Sequence, residues 1–159
     1  MSPTRLVLAT FVVLGASGCA KHGVDTVKEM RARACAADPA GFLSHVDREE
    51  FARTTRATFE KRAEASIAKL DPADQAAARE KFDKSADAAA KTRVDDTFTT
   101  WEYDIKTHGP ESEPCRLSIL DSSETGDAAD VRVTTPATGD RHWRMARSGG
   151  RWRLVSVGD

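Results

Sequence analysis

The chain has 159 residues, 40% of them hydrophobic and 31% charged, with a formal net charge of −1. That length supports one domain with a genuine core and makes a second unlikely to fit, and the near-balance of charge gives no general attraction to nucleic acid. Three cysteines and four histidines are too few and too scattered to suggest a dedicated metal-binding sequence.

The N-terminus opens with a single charge, Arg5, followed by an apolar run from Leu6 to Leu14 and the small residues Gly15, Ala16, Ser17 and Gly18. This is the layout of a secretory signal, and the run is shorter than the roughly 18 to 20 apolar residues that a spanning helix needs. The segment Leu14-Gly15-Ala16-Ser17-Gly18-Cys19 resembles the lipobox of bacterial lipoproteins, with Ala16 standing where that family most often has Leu. The resemblance implies cleavage before Cys19 by signal peptidase II and a diacylglyceryl group on the Cys19 sulfur. Ordinary cleavage after Ala20, which would discard Cys19, is the alternative. Ala20 in place of Asp after the cysteine implies, by the same resemblance, the periplasmic side of the outer membrane. The expected organisation is a signal over 1–18, a lipidated tether over 19–24 and one domain over 25–159.

The mature chain retains Cys35 and Cys115, an even pair in an oxidising compartment, and a disulfide is their natural reading. A zinc site is the competitor, but these cysteines and His22, His45, His108 and His142 lack the close ligand pairs such sites use, so no metal or cofactor is expected.

From Asp25 to about Lys91 the texture is helical. A first helix over about 25–37 turns Val27, Met30 and Ala34 inward, and Asp38-Pro39 leads into a short piece ending in Phe42, Leu43 and Val46. Asp47 is placed as an N-cap, with Glu50 to close a capping box and Val46 and Phe51 as a hydrophobic staple. Phe51, Thr55, Phe59, Ala63, Ile67 and Leu70 then follow at helical spacing, while Arg53, Arg56, Glu60, Arg62 and Glu64 mostly face water. Asp71-Pro72 starts another helix, with Asp71 as its cap, Pro72 at the first helical position and Ala78, Phe82 and Ala86 on its buried side.

After Val94 the residues change to Thr, Val, Trp, Tyr and Ile, which suit strands. Strands are expected over 97–107, 115–122, 130–135, 141–148 and 151–157, although Val94, Phe98 and Trp101 would equally extend the preceding helix. The turns between them are 108–110, 123–126, 138–140 and Gly149-Gly150. If Gly149-Gly150 is a two-residue turn, Arg147 faces Trp152, Met145 faces Leu154 and Trp143 faces Ser156. One face then gathers Trp143, Met145, Trp152 and Leu154, and the other gathers His142, Arg144, Arg151 and Arg153 with Val155 and Val157. The expected fold is α+β, with N-terminal helices on one face of a C-terminal antiparallel meander of four or five strands.

Ala129-Asp130-Val131-Arg132-Val133, the closing run Arg151-Trp152-Arg153-Leu154-Val155-Ser156-Val157 and the turn Asp38-Pro39-Ala40-Gly41-Phe42-Leu43 resemble the NTF2-like (cystatin-like) superfamily. The resemblance implies a cone-shaped cavity between sheet and helices. Enzymes of that superfamily place Asp, His or Tyr inside the cavity, but no catalytic signature matches here position by position, and many relatives are non-enzymatic binding or assembly modules.

Individual sites are weakly marked. His142, Arg144, Arg151 and Arg153 form a candidate anion-binding face, set against an ordinary solvated sheet face. Trp101, Tyr103 and Asp104 can be read as a stacking platform or as core filling, and His45 and His108 as surface residues beside turns. Glu49 and Glu50 point about 100 degrees apart on a helix and do not form a carboxylate pair. Two function classes remain: a membrane-tethered module for an envelope protein or small ligand, which the reading favours, and a cell-envelope enzyme with a cavity active site.

Overall fold

The computed structural model describes residues 22–158, so the segment read as an export signal and Cys19 lie outside the described residues. Helices come first: α1 (Gly23–Cys35), α2 (Pro39–Leu43), α3 (Arg48–Ile67) and α4 (Pro72–His108), then a 3-10 turn at Gly109–Glu111 and the one-turn α5 (Glu113–Arg116). Four strands follow, β1 (Ser118–Thr125), β2 (Ala128–Thr135), β3 (Gly139–Ser148) and β4 (Arg151–Gly158), in an antiparallel meander of that order. The chain is α+β with its helices N-terminal to one four-stranded sheet.

The helix signals act largely as their chemistry requires. Val27, Met30 and Ala34 are fully buried on α1. That helix closes in a Schellman arrangement, Asp38 N–H donating to the Arg33 carbonyl at 2.9 Å and Ala37 N–H to the Ala34 carbonyl at 3.0 Å, with Ala37 at φ 54°. Asp38 caps α2 by accepting from the Gly41 amide at 2.8 Å, whereas Asp71 occupies the N-cap position of α4 without a side-chain cap bond. Asp47 caps α3 by accepting from the Glu50 amide at 3.1 Å, but Glu50 does not close the box. Glu50 pairs with Arg53, and the Asp47 amide is taken instead by the Leu154 carbonyl at 3.0 Å. Leu154 N–H donates in turn to the His45 carbonyl, so the α2–α3 junction is stitched to the free edge of β4 by a parallel bridge.

The strand expected over 97–107 is helix. Val94, Phe98 and Ile105 are buried at helical spacing, with Trp101 half-buried between them. No breaker intervenes before Gly109 (φ 48°, ψ −111°), a conformation that glycine alone adopts comfortably. Strand propensity is outweighed here by an apolar stripe continuous with the preceding helix. Cys115, expected on a strand, sits in α5, two residues before Leu117, which is fully buried. The loop expected over 123–126 is mostly strand, β1 running to Thr125 before the turn at Gly126. Leu70, expected on the buried stripe, is 44% exposed.

The last hairpin keeps the expected register near its turn, with Arg147 opposite Trp152 and Met145 opposite Leu154, and then slips. A bulge between Arg144 and Met145 absorbs Val155, so Trp143 faces Val157 and Arg144 faces Ser156. Val157 therefore turns to the core side rather than to the outer face, where the regular pattern would leave it.

The core lies between the inner sheet face and α1, α2 and the C-terminal part of α4. Val131, Val133, Trp143, Met145, Trp152 and Leu154 meet Val27, Met30, Phe42 and Phe98 there. Rings interlock edge-on, Phe42 to Trp101 at 5.5 Å and Phe42 to Trp143 at 6.3 Å. The Cys35–Cys115 disulfide, with Cα atoms 4.8 Å apart, ties the end of α1 to α5. Beyond the sheet, α3 and α4 pair mainly with each other. Ile67, Ala86 and Ala90 are buried but lie outside the cluster that covers the sheet. At 1.5 Å per residue, the 37 residues of α4 extend about 55 Å.

Candidate functional site

The four residues expected to form a basic face are divided by a carboxylate. On the outer sheet face Asp130 of β2 stands opposite Arg144 of β3, accepts at 2.6 Å from His142 Nδ1 and lies 3.7 Å from Arg144 Nε. Arg132 and Asp121 make a second cross-strand pair at 3.3 Å. His142 and Arg144 are thus part of an alternating charge ladder, which protects an exposed sheet face. Arg151 and Arg153 lie beyond it, near the Gly149-Gly150 turn, which exposed Arg147 flanks from the other face, that of Trp143 and Met145.

Trp101, Tyr103 and Asp104 are not brought together as a platform. Trp101 packs into the aromatic core, whereas Tyr103 is 65% exposed on the far side of α4. Asp104 holds two neighbours: its Oδ2 accepts from the Glu113 amide at 2.8 Å, capping α5, and its Oδ1 is 2.8 Å from His108 Nδ1. That pair fixes His108 at the C-terminal end of α4, where a helix dipole welcomes positive charge. Glu49 and Glu50 also serve different partners, Glu50 binding Arg53 while Glu49 lies along the groove described below.

His45 is more enclosed than a surface histidine should be. Its side chain is 23% exposed, 3.9 Å from Glu29, and burial pushes its pKa below 6.5. Glu29 opposes that shift, while Arg33 and Arg153 add to it.

One concavity was not legible in the sequence. It is a groove of about 490 Å³ between α3 and α4, where the helix pair leaves the sheet. Its apolar surface comes from Ala52, Ala90, Val94 and Phe98, and charged side chains rise on both sides. Arg48 lies 4.6 Å above the Phe98 ring, Arg56 binds Asp87 while reaching over Phe82, and Lys91 pairs with Asp95 at 2.5 Å. These contacts hold the long cationic chains against the groove walls. The small residues Ala52 and Ala90 create the depression, and only the pairing of the two helices sets them face to face. A groove of this volume falls in the usual range for ligand sites, and its apolar floor with ionic rims suits an apolar side chain carried on a polar backbone.

Among the described residues no group of three potential metal ligands converges, and no described helix is long and apolar enough to cross a membrane. No protein-family model, curated protein or solved structure matches the chain.

Proposed function

We propose that this protein is an exported lipoprotein, anchored through Cys19, whose domain is a non-catalytic docking module of the cell envelope. The observation that carries the reading is where space is filled and where it is left. The space between sheet and helices, where the NTF2-like resemblance implies a cavity, is occupied by interlocked Phe42, Phe98, Trp101 and Trp143. An open concavity lies instead between α3 and α4, with an apolar floor and ion pairs along its rims. Such a surface recognises a segment of another envelope protein better than it activates a small substrate, because most of its ionic groups, Arg53, Arg56, Asp87, Lys91 and Asp95, already have ionic partners.

Placing a photo-crosslinking amino acid at Lys91, exposed on the groove wall, tests the docking reading in living cells. One discrete envelope-protein adduct is expected there, and none from the same group at Thr134 on the outer sheet face. Ala52→Trp, at a half-buried position on the groove, should remove the adduct formed at Lys91, with a thermal melt confirming that the variant is folded. Equal labelling at Lys91 and Thr134 would reject the groove as the docking site. The anchor is tested separately, by the mass of the N-terminal peptide from the native membrane fraction.

A further inference from the structure

The way α1 begins fixes which part of the domain an anchor at Cys19 would hold against the bilayer. The four residues from Cys19 to Gly23 span at most about 14 Å even fully extended. Gly23 is pinned to the sheet: its amide donates to Glu124 Oε2 at 3.3 Å, and a Cβ there would stand 2.6 Å from the Ala129 Cβ and 3.4 Å from that of Met145. Ala129 lies two residues past the turn-side Asp127, and Met145 two residues before Arg147, a step of about 7 Å along the strand. The helix then runs away from the turns toward Cys115 at the opposite end of the sheet. The anchored terminus thus emerges beside both tight turns, Gly126-Asp127 and Gly149-Gly150.

This end also carries a group of arginines without a carboxylate partner, whereas Lys61, Lys69, Lys81, Arg93 and Lys106, which likewise have none among the described residues, are spread along the α3–α4 pair. Arg56, Arg79, Lys84, Lys91, Arg132 and Arg144 each have a carboxylate partner. Among the described residues no carboxylate pairs with Arg147, Arg151 or Arg153, and the first two are exposed. The carboxylates nearby are largely engaged: Glu124 by His22 and the Gly23 amide, and Asp130 by His142 and Arg144. Asp127 remains, set against three arginines in a chain whose formal net charge is −1. Between Arg147 and Arg151 the tip is Ser148, Gly149 and Gly150, with both glycines at positive φ and open space where a Cβ would stand. A tip without bulk lets the flanking guanidinium groups reach a flat surface.

We propose that the turn-bearing end of the sheet is laid against the membrane, with Arg147, Arg151 and Arg153 binding the phosphates of anionic phospholipid headgroups. This rests on the reading of Cys19 as the anchor. Guanidinium groups make charge-assisted, often bidentate bonds to phosphate, and an acyl anchor supplemented by a basic patch is a known two-signal route to stable association. The anchor supplies proximity and the arginines supply orientation, leaving the α3–α4 groove to a partner.

The test uses full-length protein purified from its native membrane fraction and reconstituted into vesicles of phosphatidylcholine alone or mixed with phosphatidylglycerol. A nitroxide is attached at Ser148→Cys, or at Leu120→Cys on β1 as the reference, and its collisions with aqueous nickel chelate and with oxygen are measured. The label at 148 should lose nickel accessibility several-fold on the mixed vesicles alone, and regain it in high salt or in Arg147→Glu/Arg151→Glu. The label at 120 should stay aqueous throughout. Should the double reversal fail to fold, Arg147→Gln/Arg151→Gln is expected to restore accessibility in the same direction. An acylated Cys19 with equal accessibility at 148 on both vesicles, or shielding at 120 instead, would overturn the orientation and leave the anchor standing. An unmodified chain beginning at Lys21 would remove the anchor, and the inference with it.

Discussion

Trp143 stands opposite Val157 across the β3–β4 ladder, one residue beyond the partner that a regular hairpin would give it. The offset is the bulge that absorbs Val155, and it lets Val157 join Trp152 and Leu154 against the core. The bulge lies beside the Leu154 bridge to the α2–α3 junction, so one irregular strand serves both the sheet and the helical layer.

Trp152, 2% exposed, is the packing residue of this strand, and its indole N–H has no acceptor among the described residues. Trp152→Ala should cost about 3 to 5 kcal/mol in urea unfolding, enough to unfold a marginal domain. Trp152→Phe should cost well under half of that, because shedding an unpaired buried donor offsets part of the lost volume. Equal losses in the two variants would show that the indole nitrogen is satisfied.

The Cys35–Cys115 bridge closes a loop of 80 residues. Reduction, or Cys35→Ser with Cys115→Ser, should lower stability by roughly 4 kcal/mol on the chain-entropy account. Paired urea titrations with and without reductant measure it, and coincident midpoints would refute it.

Ala37 holds φ 54° at the end of α1, a conformation costing a residue with a Cβ roughly 1 to 2 kcal/mol. Ala37→Gly should raise stability by up to about 1 kcal/mol after the added freedom of the unfolded chain is counted. A thermal melt showing a lower midpoint would count against it.

His45 gives the fold a pH dependence. Burial holds its pKa below 6.5, so the unfolded chain takes up the proton first as pH falls. Its neutral form carries no penalty above pH 6.5, and stability declines as pH drops below 6.5 toward the lowered folded value, by at most about 1.4 kcal/mol per pH unit. His45→Gln should flatten that part of the stability–pH curve while carboxylate titration at lower pH persists. An unchanged slope would assign the effect to other groups.

Arg144→Ala, at an exposed position, and Arg153→Ala, at a half-exposed one, should each change stability by only a few tenths of a kcal/mol, as substitutions outside the core usually do. Chemical denaturation of the two single variants reads this directly. A loss above about 1 kcal/mol for Arg144→Ala would mean that the Asp130 pair contributes more than exposed ion pairs generally do.

The sequence by itself determined the local structure of this chain wherever nearest neighbours decide it. Val27, Met30 and Ala34 reveal the buried face of α1 by spacing alone, Asp38 and Asp47 mark helix starts by their side-chain oxygens, and Gly149-Gly150 fixes the partners of Met145 and Arg147. Cys35 and Cys115 could be paired because, with Cys19 read as the lipid site, they are the two cysteines left and neither sits in a metal-ligand pattern. What only the tertiary structure decided depends on groups far apart in the chain competing for the same partner. Leu154 takes the Asp47 amide that Glu50 would otherwise have reached, Asp130 comes beside Arg144 and splits a cluster that looked wholly basic, and Phe42 captures Trp101 for the core. The groove belongs to this second class, since Ala52 and Ala90 are unremarkable residues on any helix until α3 and α4 pack and leave the space between them unfilled. Backbone and capping chemistry act within a few residues and can be read along the chain, whereas charge pairing and concavity depend on the register in which distant elements meet.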